Sequence, residues 1–355
     1  IAGTVGFFKQ NSSMKKIGIK IVFSYVLFIF VAAGCVGTKV NKNKTIVSTV
    51  PSKIENLDSI NTTNIPKLFD LSPEGNKWVD SLYNTMTLEE KFGQLFMVAA
   101  YSNKDSAHSN AIEKLILDYK IGGLIFFQGG PVRQAKLTNR FQSKSKIPLF
   151  IGSDAEWGLG MRLDSTYRYP WNMTLGAIQD MKLLEKVGAQ MGQQSKRLGM
   201  QFNFAPVLDI NSNPKNPIIG FRSFGEDKFK VTERAIAIMN GVQSQGVFST
   251  GKHFPGHGDT DTDSHKKLPI INSSKERLKD IEFYPYKKMF HEGLASVMVA
   301  HLSVPSLEPR PNFPSSISYN VVTDILQKEM GFQGLIFTDA LNMKSVSNFK
   351  LPSEI

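Results

Sequence analysis

Cysteine is all but missing from this chain. Cys35 is the only one in 355 residues, so no disulfide can close within the chain and packing must hold the fold. Long apolar runs are missing too. The longest near the N-terminus, residues 21–34, is 14 residues, short of the ~20 that a membrane-spanning helix needs. Acidic residues are the minority charge, 31 against 42 basic, for a net charge of +11. Residues 1–65 account for +6 of that excess, with eight lysines, no arginine and two acids, Glu55 and Asp58. The remaining +5 is spread over 290 residues without a dense basic run, so no nucleic-acid-binding surface is expected. There is no internal repeat of fixed period. What is present, 41% apolar and 21% charged residues, is the composition of a globular protein with a sizeable core.

The N-terminus reads as an export signal. Lys15, Lys16 and Lys20 precede the apolar run, which ends in Ala32-Ala33-Gly34-Cys35. A short transmembrane anchor is the alternative. The last four residues resemble a bacterial lipobox, with alanine where leucine is more usual. That resemblance implies lipidation of Cys35 and attachment to a membrane without spanning it. Met14 is the expected start of translation, and the thirteen residues before it carry no recognisable role. Residues 1–35 are therefore expected to be a leader with a lipoprotein-type signal. Residues 36–65, rich in Lys, Asn, Thr and Ser, are expected to be a flexible linker. The protein would be exported to the bacterial cell envelope and lipid-anchored on the periplasmic or surface side.

A folded domain is expected over 66–355. Thr87-Leu88-Glu89-Glu90 has the form of a helix start with a capping box. Short apolar runs at 94–100, 121–127, 148–152, 200–210, 247–250, 295–300 and 335–337 then alternate with helical candidates. Those candidates are 132–141, 181–197, 230–245, 274–290 and 321–330. Continuous apolar runs alternating with helices predict a parallel sheet buried on both faces. Polar residues follow the runs: Ser153-Asp154, Asp209, Lys252-His253, His301 and Thr338-Asp339. In an α/β (β/α)8 TIM-type barrel those positions share one rim, where active sites lie. Seven strands can be counted and 16 residues follow Asp339. The barrel is thus expected to be incomplete, truncated before its last β/α unit.

Chemistry concentrates in Lys252-His253-Phe254-Pro255-Gly256-His257-Gly258-Asp259-Thr260-Asp261-Thr262-Asp263-Ser264-His265, which holds three of the six histidines. Two chemistries use such a mixture: a metal site, or proton transfer by an imidazole steered by a carboxylate. A His-x-x-x-His zinc pair needs a helix, and Phe254-Pro255-Gly256 forbids one, so neither metal nor cofactor is expected. Asp263 and His265 are one residue apart, close enough for the aspartate to orient the ring. A loop stabilised by its own side-chain hydrogen bonds is the plainer alternative, and His257, Asp259 and Asp261 fit that role. Asp339 is delivered to the rim by the run 334–338. Its plainer reading is an N-cap for residues 340–343.

These two segments, the loop and Gly331-Phe332-Gln333-Gly334-Leu335-Ile336-Phe337-Thr338-Asp339-Ala340-Leu341, resemble family 3 glycoside hydrolases. The nearer resemblance is to the bacterial β-N-acetylglucosaminidase branch of the peptidoglycan-recycling type, over about residues 75–355. It implies a retaining exo-β-N-acetylhexosaminidase with Asp339 as nucleophile and His265 as acid/base supported by Asp263. It also implies sugar binding by Lys252, His253, Asp154, Arg162 and Arg222. The segment Ser153-Asp154-Ala155-Glu156-Trp157-Gly158-Leu159-Gly160-Met161-Arg162 departs from the usual pattern, with Trp157 for a glycine and Leu159 for an arginine. Those exchanges bear on the aglycone side. The expected partners are an N-acetylglucosamine-terminated glycan, including muropeptides, and the membrane through the lipid. A family 3 β-glucosidase or β-xylosidase, a non-catalytic sugar-binding lipoprotein and a metal-dependent hydrolase are the competing readings.

Overall fold

The computed structural model describes residues 71–264 and 267–349. Each of the seven apolar runs yields a parallel strand: β1 (Met97–Ala100), β2 (Gly123–Phe126), β3 (Phe150–Ser153), β4 (Phe202–Asn203), β5 (Phe248–Phe254), β6 (Ser296–Val299) and β7 (Leu335–Thr338). Their order in the sheet is their order in the chain. Parallel neighbours joined by helical crossovers are what a curled barrel sheet requires. The result is a half-barrel sheet of seven strands, the architecture of a (β/α)8 barrel lacking its eighth strand among the described residues. β1 and β7 are its two edges.

The α-helices among the described residues are α1 (Pro73–Thr85), α2 (Leu88–Gly93), α3 (Ser106–Tyr119), α4 (Pro131–Gln142), α5 (Asn172–Gly176), α6 (Met181–Arg197), α7 (Lys228–Ser244), α8 (Lys275–Asp280), α9 (Phe283–His291) and α10 (Lys344–Ser347), of which α1 buries no residue. Thr87 does form the capping box, accepting from the Glu90 N–H while Glu90 accepts from the Thr87 N–H. The helix expected over 274–290 is instead two. Pro285 has no N–H to offer the carbonyl of Ile281, and its ring would crowd that oxygen. Residues 320–329 coil more widely than an α-helix, with the Met330 N–H donating to Ile325 O five residues back. α3 has no counterpart among the helices read from the sequence, because it buries only Ser109, Ile112 and Ile116, too thin a stripe to announce itself. β4 is far shorter than its run of 200–210. Pro206 cannot donate to a ladder, so regular pairing stops there. The chain runs on beside β5 through single bonds, Thr250 N–H to Ala205 O at 2.9 Å and Leu208 N–H to Lys252 O at 2.6 Å, as a rim segment that carries Asp209.

Aromatic residues fill the barrel interior. Phe202 and Phe204 reach Phe337 of β7, each with ring centroids 5.2 Å away, and Met298 joins them. Outside the sheet α6 and α7 pack almost backbone to backbone. A Cβ on Gly188 would lie 2.3 Å from Ile238 O, and one on Gly241 2.0 Å from Glu185 O. Strand register sets the level of the rim. Lys252 pairs with Met298 and Met298 with Phe337, so Asp339 stands two residues above the level of Lys252.

Candidate active site

Lys252 points from β5 into the mouth of the barrel and meets two carboxylates. Its Nζ donates to Asp154 Oδ1 at 2.8 Å and lies 2.8 Å from Glu156 Oε1. Asp154, one residue past β3, also accepts from Arg162 Nη2 at 2.5 Å through Oδ2. Glu156 takes Arg222 as a fork, Nη2 to Oε1 at 2.7 Å and Nε to Oε2 at 3.0 Å. Burial pushes both acids up, but the cations outweigh it: Lys252 and Arg162 hold Asp154 below its ordinary pKa, and Arg222 and Lys252 hold Glu156 far below. Burial likewise pulls Lys252 down, and Asp154 and Glu156 overcome it and raise it. These groups therefore stay ionised at neutral pH.

The network continues through Arg222, whose Nη2 lies 3.2 Å from His253 Nε2. His253 Nδ1 is 2.7 Å from Asp209 Oδ2. A ring donating through Nδ1 to a carboxylate and accepting a guanidinium N–H at Nε2 is the neutral tautomer held in place from both sides. Asp209 also accepts the His257 N–H at 2.6 Å. Burial raises its carboxyl, but His253 and His257 outweigh that and lower it. His257 is bound at both nitrogens, to Thr260 Oγ1 at 2.7 Å and Ser264 Oγ at 3.2 Å. Burial depresses it to about 4, against the pull of Asp209. Close packing makes this possible: a Cβ on Gly258 would sit 1.7 Å from Ile210 O.

Asp339 follows β7, its N–H donating to Val299 O at 2.9 Å. Its half-buried carboxylate accepts the Ala340 N–H at 2.7 Å, and it forms no ion pair among the described residues. It is not a helix N-cap, since α10 starts at Lys344 with Met343 at the cap. The neighbouring backbone is pinned by His301, fully buried, whose Nε2 lies 3.0 Å from Ala340 O and Nδ1 2.5 Å from Ser316 Oγ. Ala340 O only accepts, so Nε2 carries the hydrogen and Nδ1 accepts from the serine. Burial lowers the pKa of His301, with Asp339 opposing.

Of the sites expected from sequence, Asp154, Arg162, Arg222, Lys252 and His253 fall in one connected network. Asp339 shares the rim without bonding to it. Asp263 is half-buried, its carbonyl accepting from the Lys267 N–H at 3.2 Å. His265 and Cys35 lie outside the described residues. Asp261 and Asp259 are engaged locally, with Thr262 and Ser273 respectively. Glu156 was not singled out from sequence, and Asp209 was read there only as a rim residue with no role assigned. Their importance lies in partners 66 and 44 residues away, which sequence spacing does not display.

Exposure separates two layers. Arg162, Arg222 and Asp154 keep 19%, 17% and 13% of their side chains open, whereas Lys252 keeps 2% and Glu156 none. The outer three offer the remaining N–H groups of two guanidiniums and a carboxylate to a ligand rich in hydroxyls. The inner pair fixes them. No group of three or more His, Cys, Asp or Glu is arranged to hold a metal among the described residues, and the network's acids already face cations or histidine. The arrangement suits polyol recognition beside an accessible, uncompensated carboxylate.

Residues 87–355 match the family model described as the glycosyl hydrolase family 3 N terminal domain. The chain is 35% identical over 264 residues to beta-hexosaminidase A of Pseudoalteromonas piscicida, across 68% of this chain and 44% of that protein. It is 34% identical over 239 residues to a beta-hexosaminidase of Nitrosomonas eutropha, across 64% of this chain and 68% of the relative. A solved glycoside hydrolase family 3 beta-N-acetylglucosaminidase from Paenibacillus sp. str. FPU-7 superposes with a TM-score of 0.70 at 37% identity, covering 75% of this chain and 51% of that one. The chain thus spans about half the length of the Pseudoalteromonas and Paenibacillus proteins it resembles.

Proposed function

This chain belongs to glycosyl hydrolase family 3, and from that premise we propose that it is a retaining exo-β-N-acetylhexosaminidase acting on terminal β-linked N-acetylglucosamine. The observation that carries the reading is Asp339, a half-exposed carboxylate directly after β7 that forms no ion pair among the described residues. A retaining glycosidase needs such a nucleophile together with a proton donor at the leaving oxygen. Asp339 bonds to the anomeric carbon as the glycosidic C–O bond breaks, and the leaving oxygen takes a proton from His265. The neutral ring then removes a proton from water, which attacks the anomeric carbon and frees Asp339. Asp263 steers His265.

Support for His265 comes from the other rim imidazoles. His253, His257 and His301 each have both nitrogens engaged by protein groups, so none of them has a nitrogen free to pass a proton to the leaving oxygen. Support for the N-acetylglucosamine substrate comes from the relatives, which carry the names beta-hexosaminidase and beta-N-acetylglucosaminidase. Peptidoglycan fragments fit as the source of that sugar, with the protein exported and tethered to the envelope by lipid on Cys35.

A panel of aryl glycosides tests the reading. The β-N-acetylglucosaminide is expected to be cleaved at least ~10²-fold faster than the β-glucoside or β-xyloside. Preference for either of the latter would move the protein to the β-glucosidase or β-xylosidase reading, and no cleavage of any of them would favour a sugar-binding role. Proton transfer is worth about 10²–10⁴ in rate. His265→Ala should therefore impair alkyl leaving groups far more than an activated aryl group. Equal losses would remove His265 from the proton-donor role.

A further inference from the structure

Beside the charged network lies an aromatic stack that the proposed chemistry does not use. Trp157 directly follows Glu156, and Phe221 directly precedes Arg222. Trp171 joins them, its ring 4.3 Å from Trp157 and 4.1 Å from Phe221, and the next residue, Asn172, donates from Nδ2 to Arg222 O at 2.8 Å. The stack runs from a buried Trp157 out to Phe221, 52% exposed. Single exposed aromatics are ordinary, but this one ends a continuous ring system that begins one residue from the network.

Arg168 adds charge to that ledge. Its guanidinium lies 4.2 Å over the Trp171 ring and 5.7 Å over Trp157. The chain around it rides close on the Asp154–Arg162 turn: a Cβ on Gly160 would be 2.8 Å from Arg168 Cβ, and one on Gly158 2.6 Å from the Tyr169 ring. Arg133, Arg162 and Arg222 nearby each meet a carboxylate. Arg168, which is exposed, meets none among the described residues. Stacking uses only the face of a guanidinium, so its in-plane N–H groups remain able to fork onto a carboxylate. Aromatic faces next to such a fork match a sugar ring, stacked through its C–H face, that carries an acid group.

We propose that Arg168, Trp171 and Phe221 form the aglycone subsite and favour a leaving saccharide that bears a carboxylate. The proposal rests on reading the neighbouring network as the site of the terminal sugar. It gives a role to the departure at Trp157, where a glycine would leave Trp171 without its inner partner.

The test uses the full-length protein and three substrates: N-acetylglucosaminyl-β-1,4-N-acetylmuramic acid, its methyl ester, and methyl β-N-acetylglucosaminide. The wild type is expected to prefer the acid over the ester by about tenfold in kcat/KM. Arg168→Met should bring that ratio close to one. Phe221→Ala should lower kcat/KM for both disaccharides about tenfold relative to the methyl glycoside. A purely structural role, or cover of the ledge by another part of the protein, would depress all substrates alike and leave the ratios at their wild-type values, overturning the proposal. An absent acid preference in the wild type would also overturn it. If the wild type cleaves none of the three yet cleaves an aryl β-glucoside, the substrate reading fails and the subsite falls with it.

Discussion

Glu156 and Lys252 carry opposite charges where almost no water reaches, and each is tolerable only because of the other. Removing one charge of a buried network leaves its partners uncompensated, at a cost of about 3–5 kcal/mol. Glu156→Gln should therefore lower stability by about 3 kcal/mol in urea unfolding. The double variant Glu156→Gln/Lys252→Met should cost less than the sum of the two single changes, because the orphaned charges go together. Simple additivity would mean that the 2.8 Å contact contributes nothing. His301 acts on geometry instead. Its Nε2–H holds the carbonyl next to Asp339, so His301→Phe should free that backbone and lower kcat by up to ~10²-fold with little change in KM. His301→Gln, which can still donate, should recover much of the loss. A drop in thermal stability with unchanged kcat would reduce His301 to a packing residue.

The loop after β5 folds around its own polar groups, and that gives it a pH signature. His257 is held at about 4 in the folded protein, against ~6.5 in an unfolded chain. The folded state thus resists a proton that the unfolded state accepts. Stability from this site is complete above pH 6.5 and is lost as pH falls towards 4, by about 3 kcal/mol. The depressed His301 adds loss of the same sign. Urea unfolding measured between pH 7 and 4 should show this decline, and His257→Gln should flatten it. An unchanged slope in the variant would assign the acid sensitivity elsewhere. The α6–α7 pair makes a separate prediction. Gly241→Ala would place a methyl 2.0 Å from Glu185 O, and relieving it should cost about 1–3 kcal/mol. At this level the sequence was readable where period and punctuation agree: α6 is Met181–Arg197 as expected, and the polar density marks the loop from Pro255 to Ser264, although Lys252, His253 and Phe254, read as loop, end β5. It was misread where the local signal was weak or passed over, as for α3, which buries one narrow stripe, and for β4, which ends before Pro206.

The barrel brings these pieces together. Polar residues placed after apolar runs were enough to locate the rim, because parallel strands in chain order put every C-terminal end on one side. They were not enough to show that Lys252 bridges β3 and the turn beyond it, or that Glu156 and Asp209 brace the two guanidinium and imidazole arms. Those links join residues 44–98 positions apart, and only the curl of the sheet makes them neighbours. Asp339 stands on the same rim without an ion pair among the described residues, which leaves its carboxylate open for the nucleophilic role proposed for it. Reaction with 5-fluoro-N-acetylglucosaminyl fluoride, followed by tryptic digestion and tandem mass spectrometry, tests that assignment most directly. The peptide spanning 329–344 should gain one 5-fluoro-N-acetylglucosaminyl group, fragmenting to place it on Asp339. A label on any other carboxylate, or turnover that releases an inverted sugar without a trapped intermediate, would contradict it.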